Sequence, residues 1–268
     1  MPSNTHVINL RPWRMLAGLA RLIALASIVS CFGFSACATQ ATPGVQRTQA
    51  VGLTLTLSDR DQRLDSLQTP AIMEYSGPGG HLKAREQIIV RRPASLRVEA
   101  LSPLGVALIV AADGGHIAVF EPSHDTLMRG PATAATLERF ARIPMAPQQA
   151  VRLLLGLSPD SAMLAFAPSA IRDEGAVKIL SYARANGSID ELGFAERHLV
   201  LARERTRSGQ LAYEVYYKDY RDIGGIEFPY ELQASFPAAG TTVKLRYEKP
   251  IIDGQISDSL FVLSPGCG

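Results

Sequence analysis

Apolar and polar positions alternate in several stretches of the chain. Leu82, Ala84, Ile88 and Val90 alternate with Lys83, Arg85, Gln87 and Arg91, while Glu86 and Ile89 break the rule. Leu96, Val98 and Ala100 alternate with Arg97 and Glu99, and Ile117 and Val119 share a parity between His116 and Glu121. The pattern is cleanest near the C-terminus. There Ile226, Phe228, Tyr230 and Leu232 face Glu227, Pro229, Glu231 and Gln233, and Val243, Leu245 and Tyr247 alternate with Thr242, Lys244 and Arg246. Period two with one apolar side predicts antiparallel strands with one wet face. Turn-forming clusters separate them: Gly77-Pro78-Gly79-Gly80, Ser102-Pro103-Leu104-Gly105, Asp113-Gly114-Gly115, Asn186-Gly187-Ser188 and Ala239-Gly240.

A helical period replaces this pattern in the middle of the chain. Residues 133–143 place Leu137, Phe140 and Ala141 at i, i+3 and i+4; residues 147–155 place Ala150, Val151, Leu154 and Leu155 on one stripe. Pro147 at the first helical position and Gly156 just past the last bound the second helix. Residues 59–67, with Leu64 and Leu67 three apart, read as a short helix whose Asp59, Arg60 and Asp61 form a solvated face. The fold class is mainly β with helices (α+β). A long antiparallel sheet needs a cover for its apolar face, and two amphipathic helices are available to supply it. No repeat and no second-domain linker follows residue 50.

Composition is ordinary for a globular chain of 268 residues, with 47% hydrophobic and 19% charged. The net charge of +2 comes from the leader: Arg11, Arg14 and Arg21 stand in a stretch without an acid. From Cys37 onward 24 basic residues meet 25 acidic ones, a net of −1. That balance gives no basic footprint for nucleic acid. The leader resembles a signal peptide, a basic segment followed by an uncharged, mostly apolar run over residues 22–36. The run closes on Phe34-Ser35-Ala36-Cys37, which resembles a bacterial lipobox. That resemblance implies a signal peptide 1–36, acylation of Cys37, a flexible tether 37–50 and a folded domain 51–268. Ile28-Val29-Ser30-Cys31 is the alternative lipobox. An uncleaved anchor is a further alternative, because 18 uncharged residues run from Leu22 to Thr39. Ala38, rather than Asp, after Cys37 implies sorting to the outer membrane.

Residues 91–157 carry a family resemblance. Leu96-Arg97-Val98-Glu99-Ala100-Leu101 runs into the Ser102-Pro103-Leu104-Gly105 tip. Two more strands, a helix, Ile143-Pro144-Met145-Ala146-Pro147 and Leu154-Leu155-Gly156-Leu157 follow. This order resembles the LolA/LolB lipoprotein-carrier superfamily, most of all the LolB family of outer-membrane lipoprotein receptors. Arg91-Arg92-Pro93 is closer to the LolA pattern, and residues 258–265 resemble the closing strand of LolA-type chains. The resemblance implies a curved antiparallel sheet forming an incomplete barrel, with an apolar cavity covered by amphipathic helices. Leu96, Val98, Ile117, Val119, Leu137, Phe140, Val151, Leu154, Phe228 and Tyr230 are the cavity-lining candidates. Periodicity alone leaves open whether that face encloses a cavity or a solid core. The resemblance further implies a monomer that binds lipidated proteins or lipids, accepts them from a periplasmic LolA-like carrier, and is held on the outer membrane by its acyl anchor. Leu104, with Pro103, matches the protruding hairpin tip that contacts membrane or cargo in LolB-like chains.

No residue pattern points to catalysis or a cofactor. HExxH and GxSxG are absent, the histidines are isolated, and Cys31, Cys37 and Cys267 form no CxxC pair. Asp173-Glu174-Gly175 reads as a polar turn and Arg91-Arg92 as a solvated strand end. An envelope scaffold with the same fold and a filled core is the alternative to a carrier.

Overall fold

The computed structural model describes residues 43–263, which belong to one compact unit. Helix α1 (Pro43–Arg63) leads into six strands that form a meander: β1 (Ser66–Gly77), β2 (Gly80–Arg91), β3 (Ser95–Ser102), β4 (Gly105–Asp113), β5 (His116–Glu121) and β6 (Thr126–Pro131). Helices α2 (Ala134–Ala141) and α3 (Pro147–Leu154) follow. A second meander then runs through β7 (Ala170–Glu174), β8 (Val177–Ala183), β9 (Ile189–Ala195), β10 (His198–Arg205), β11 (Leu211–Ile223), β12 (Ile226–Phe236) and β13 (Thr241–Tyr247). The short β14 (Ile251–Ile252) pairs with β1.

The strands form one curved, unclosed antiparallel sheet in the order β6-β5-β4-β3-β2-β1-β13-β12-β11-β10-β9-β8-β7. Its two edges, β6 and β7, are neighbours in sequence. The connection over residues 132–169 therefore has to cross the sheet from one edge to the other, and it carries α2 and α3 with it. Antiparallel hairpins need only short turns, whereas this crossing needs a long one. Thr133 caps α2, its Oγ1 accepting from the Thr136 N–H at 3.2 Å. Gly156 ends α3 with φ +66, and a Cβ there would meet Pro229 Cγ at 2.8 Å. Only glycine fits both constraints.

Two N-terminal expectations are corrected. Over residues 43–50 the tether reading yields to α1, which begins at Pro43 and buries Ala50, and residues 37–42 lie outside the described residues. The short helix over 59–67 is the end of α1, and strand β1 starts at Ser66. Leu53-Thr54-Leu55-Thr56-Leu57 alternates like a strand, yet the segment is helical. Ala50 and Leu57 are buried while Val51 and Leu55 stay exposed. Thr54 and Thr56 satisfy their hydroxyls on the carbonyls of Ala50 and Gly52, four residues back.

The C-terminal tail also departs from expectation. In place of a closing strand, Asp258–Phe261 forms a single 3-10 turn. Both sides of β1 are already paired, by β2 and β13. The tail lies instead against the outer side of β3 and β4, where Leu263 joins Ile109, Ala111 and Ala118 and Arg97 donates to the Leu260 carbonyl at 2.9 Å.

Candidate functional site

Strand registers arrange the inward side chains of β1 to β5 in rows. One row is Leu67-Val90-Leu96-Ala112-Ile117 and the next is Thr69-Ile88-Val98-Val110-Val119. A third runs Tyr247-Ala71-Glu86-Ala100-Leu108. Every member of the first row is nearly or fully buried, and burial loosens toward the hairpin tips. Val98, Ala100, Leu108, Met73 and Ala84 are half-buried, and Leu82 is exposed. The inner face thus grades from a sealed floor to an open rim.

The helices cover this face. Leu137 of α2 and Val151 of α3 are buried in it, and Phe140 and Leu154 are half-buried beside them. The phenols of Tyr217 and Tyr247 donate to the carbonyls of Leu153 and Leu154 at 3.1 and 3.0 Å, which ties the end of α3 to β11 and β13. Burial holds the Tyr247 phenol up. It therefore stays a neutral donor.

Nine of the ten lining candidates meet in one continuous core: Leu96, Val98, Ile117, Val119, Leu137, Phe140, Val151, Leu154 and Phe228. Tyr230 is the exception. It is half-buried outside that core, under the Arg221 guanidinium 4.2 Å from its ring centroid. The β11–β12 ladder skips the Asp219–Tyr230 position, where Asp219 takes φ +54, and Pro229 turns inward onto Gly156. A regular alternation could not register that break. None of the ten lines four open surface clefts, such as one of about 560 Å³ beside Met163 and Phe166 and one of about 330 Å³ between Arg60 and Arg197.

Leu104 stands at the β3–β4 tip and is 99% exposed, with Pro103 exposed beside it. The tip is pinned rather than loose. Ser102 Oγ accepts from the Leu104 N–H at 3.2 Å and donates to the Gly105 carbonyl at 2.9 Å. Gly105 takes φ +118 and closes the turn. Cys31, Cys37 and Cys267 lie outside the described residues. Among the described residues no helix is long and apolar enough to cross a membrane.

Three polar groups carry more than their sequence context suggested. Asp61 is not a solvated helix residue. Its carboxylate is paired with the buried guanidinium of Arg152 in α3, and Arg92 approaches it at 3.4 Å. Arg152 also donates to the carbonyl and hydroxyl of Ser158, at 2.7 and 3.2 Å. Arg91 and Arg92 are likewise engaged, Arg91 with Asp258 and Arg92 with Asp61.

The turn residue Glu174 belongs to a second network. Arg203 bridges it at 2.8 Å to the buried Glu191 at 2.5 Å, and Arg172 reaches both. Burial pushes the Glu191 carboxyl up, but its bonds to Arg172 and Arg203 prevail and hold it at about 2. Glu86 is the third. It is 3% exposed on the inner face, has no hydrogen-bond partner among the described residues, and is pushed up to about 7 by burial. Its break in the β2 alternation was the one available signal.

No family model and no curated protein matches the sequence. Solved structures do resemble the fold. A LolA superfamily protein from Nitrosomonas europaea superposes with a TM-score of 0.53 at 13% identity, over 80% of this chain and 97% of that one. A domain from Vibrio parahaemolyticus, described as an outer membrane lipoprotein-sorting protein, gives 0.55 at 9% identity, with 80% and 97% covered. A DUF1329 family protein from Desulfovibrio piger gives 0.54 at 13%, with 81% and 97% covered. The likeness is to the LolA-type fold, and nothing in it singles out the LolB family.

Proposed function

We propose that the protein is an acyl-chain carrier of the cell envelope, a LolB-like outer-membrane lipoprotein that receives lipidated proteins or lipids and passes them to the membrane. The observation that carries this reading is the graded inner face, apolar from its floor to its rim but for Thr69 and Glu86, under a cover of short helices. Lipid-modified cargo needs such a container. A sixteen-carbon chain at about 0.8 kcal/mol per buried CH₂ is about 12 kcal/mol better off out of water. The fold is shared with a lipoprotein-sorting domain, which supports the same reading. A periplasmic LolA-like carrier is the donor in this scheme, and the bilayer is the sink.

The floor of the face is closed on its own side chains in this structure, so cargo entry beyond the rim requires the cover to lift. Helices α2 and α3 are eight residues each. Helices that short hold together through packing rather than by themselves, which suits a movable cover. An envelope scaffold is the second reading, and the single packed core is what favours it. Native mass spectrometry of the chain from Ala41, expressed in bacteria, separates the two. Co-purified acyl mass, or uptake of added palmitate, is expected of the carrier. A bare mass that stays bare with palmitate marks the scaffold.

The architecture also suggests how the carrier meets its membrane. The hairpin tips at Gly77–Gly80, Ser102–Gly105 and Pro237–Gly240 lie at one end of the sheet, as their registers require. Arg63, at the C-terminal end of α1, bonds Gly225 at the opposite end. Thr54 lies 3.2 Å from Tyr182 near the tip end, so α1 runs toward the tips as it is followed back to Pro43. A tether from an acylated Cys37 to Pro43 spans at most about 20 Å. Anchoring there holds the Leu104 end close to the bilayer. Intact-mass analysis of Cys37→Ser should show the diacylglyceryl mass gone; its retention would move the lipidation to Cys31.

A further inference from the structure

The rows of the inner face are apolar apart from the Thr69 hydroxyl, and the third row is interrupted by one carboxyl. Glu86 faces inward with Ile88 and Val90, and its cross-strand neighbours are Ala71 of β1 and Ala100 of β3. Ala84 precedes it on the same side of the strand. With alanine on three sides, no bulky neighbour on the sheet itself closes over the carboxyl. The position is also a boundary, since Ile88 and Val90 below it are buried while Ala84 and Leu82 above it are progressively exposed.

Among the described residues no side chain or backbone group answers this carboxyl. Helix α3 packs against β2 and β3, and its only charged residue, Arg152, is committed to Asp61 and Ser158. The neighbouring inward positions on β1 and β3 are Thr69, Ala71, Met73, Val98 and Ala100, none of them charged. The Thr69 hydroxyl is spent on the Pro70 carbonyl at 2.8 Å. The Glu86 oxygens are not wholly sealed from solvent, yet burial of the side chain still penalises their charge.

We infer that Glu86 is the head-group contact of the acyl-chain site, selecting ligands whose polar head donates hydrogen bonds or carries positive charge. The inference rests on the carrier reading and adds to it the chemistry of the ligand head. The chain of such a ligand lies along the apolar rows toward the floor. Its head stops at Glu86, where an ammonium or amide N–H supplies the missing partner. An anionic head meets a second carboxylate there and is disfavoured. Charge-assisted hydrogen bonds of this kind are about twice as strong as neutral ones.

The test uses the chain from Ala41 with the uncharged probe N-phenyl-1-naphthylamine, displaced by dodecylamine or by laurate. At pH 8 the wild type is expected to bind the amine at least about tenfold more tightly than the acid, a difference of about 1.4 kcal/mol. Glu86→Gln keeps the shape and removes the charge, and should bring the two within about threefold by the same measure. Lowering the pH to 5.5 should shrink the wild-type preference as Glu86 takes up its proton. Equal affinities in the wild type, or a preference that survives Glu86→Gln, overturn the inference and leave the carrier standing. No probe and no ligand bound by either protein overturns the carrier itself, and the head-group assignment with it.

Discussion

Asp61→Ala is expected to lower the unfolding free energy by about 3–5 kcal/mol, the loss found when one member of a buried ion pair is removed. The Arg152 side chain is only 4% exposed, and its carboxylate partner is 16% exposed. Without Asp61 the guanidinium keeps Ser158 as a neutral acceptor but has no anion, inside an environment that cannot hydrate it. Arg92 loses the same carboxylate. The change falls at the junction of α1, α3 and the β2–β3 turn, so the effect extends to the base of the cover. For a domain of this size the midpoint temperature should fall by about 6–20 °C. Urea denaturation of three variants checks the cause. Arg152→Met removes the buried cation at similar volume and should cost much less than Asp61→Ala. The double variant should recover most of the Asp61→Ala loss. A single-variant loss below about 1 kcal/mol would mean that water reaches Arg152 and that the pair behaves like a surface bridge.

That pair shows where sequence reasoning stops. Period-two alternation locates a strand and its buried side with no knowledge of its partners. The strands around Leu96, Ile117, Phe228 and Val243 and the helices at Leu137 and Val151 were legible for that reason. Asp61 and Arg152 are separated by 91 positions. Locally Asp61 reads as one more charge on a polar helix, and only the crossing of α3 over the sheet brings them together. Helix α1 was hidden for a different reason. Its leucines alternate with threonines as in a strand, and its helical state depends on packing Ala50 and Leu57 against the second meander. Tyr230 leaves the inner face because one ladder position is skipped beside Pro229, which no alternation of residue types reveals. Glu86 was visible as an irregularity, but its isolation depended on which side chains the registers set beside it.

Leu104→Glu should weaken vesicle binding at least about tenfold and leave the fold intact. The side chain is 99% exposed and touches no core residue, so its replacement should change stability by no more than about 0.5 kcal/mol. A leucine that enters the acyl region of a bilayer gains about 1.5–3 kcal/mol, equivalent to about 10- to 100-fold in partition. A glutamate at the same place loses that gain and pays desolvation in addition. The tip presents the side chain in a fixed direction, because Ser102 and Gly105 pin the turn around it. Little ordering entropy is therefore spent on insertion. Flotation of the unlipidated chain from Ala41 with phosphatidylethanolamine–phosphatidylglycerol vesicles reads the loss, and a thermal melt of the same samples reads the fold. Unchanged melting with at least a tenfold loss of flotation is the result expected of a membrane-contacting tip. Unchanged melting with unchanged flotation would make Leu104 an incidental surface leucine and remove the membrane from the tip end. A melt lowered by several degrees would mean that the residue packs against something in solution. In that case a tip lying over the rim, beside the half-buried Val98 and Leu108, would belong to the cover of the acyl site and not to its delivery end.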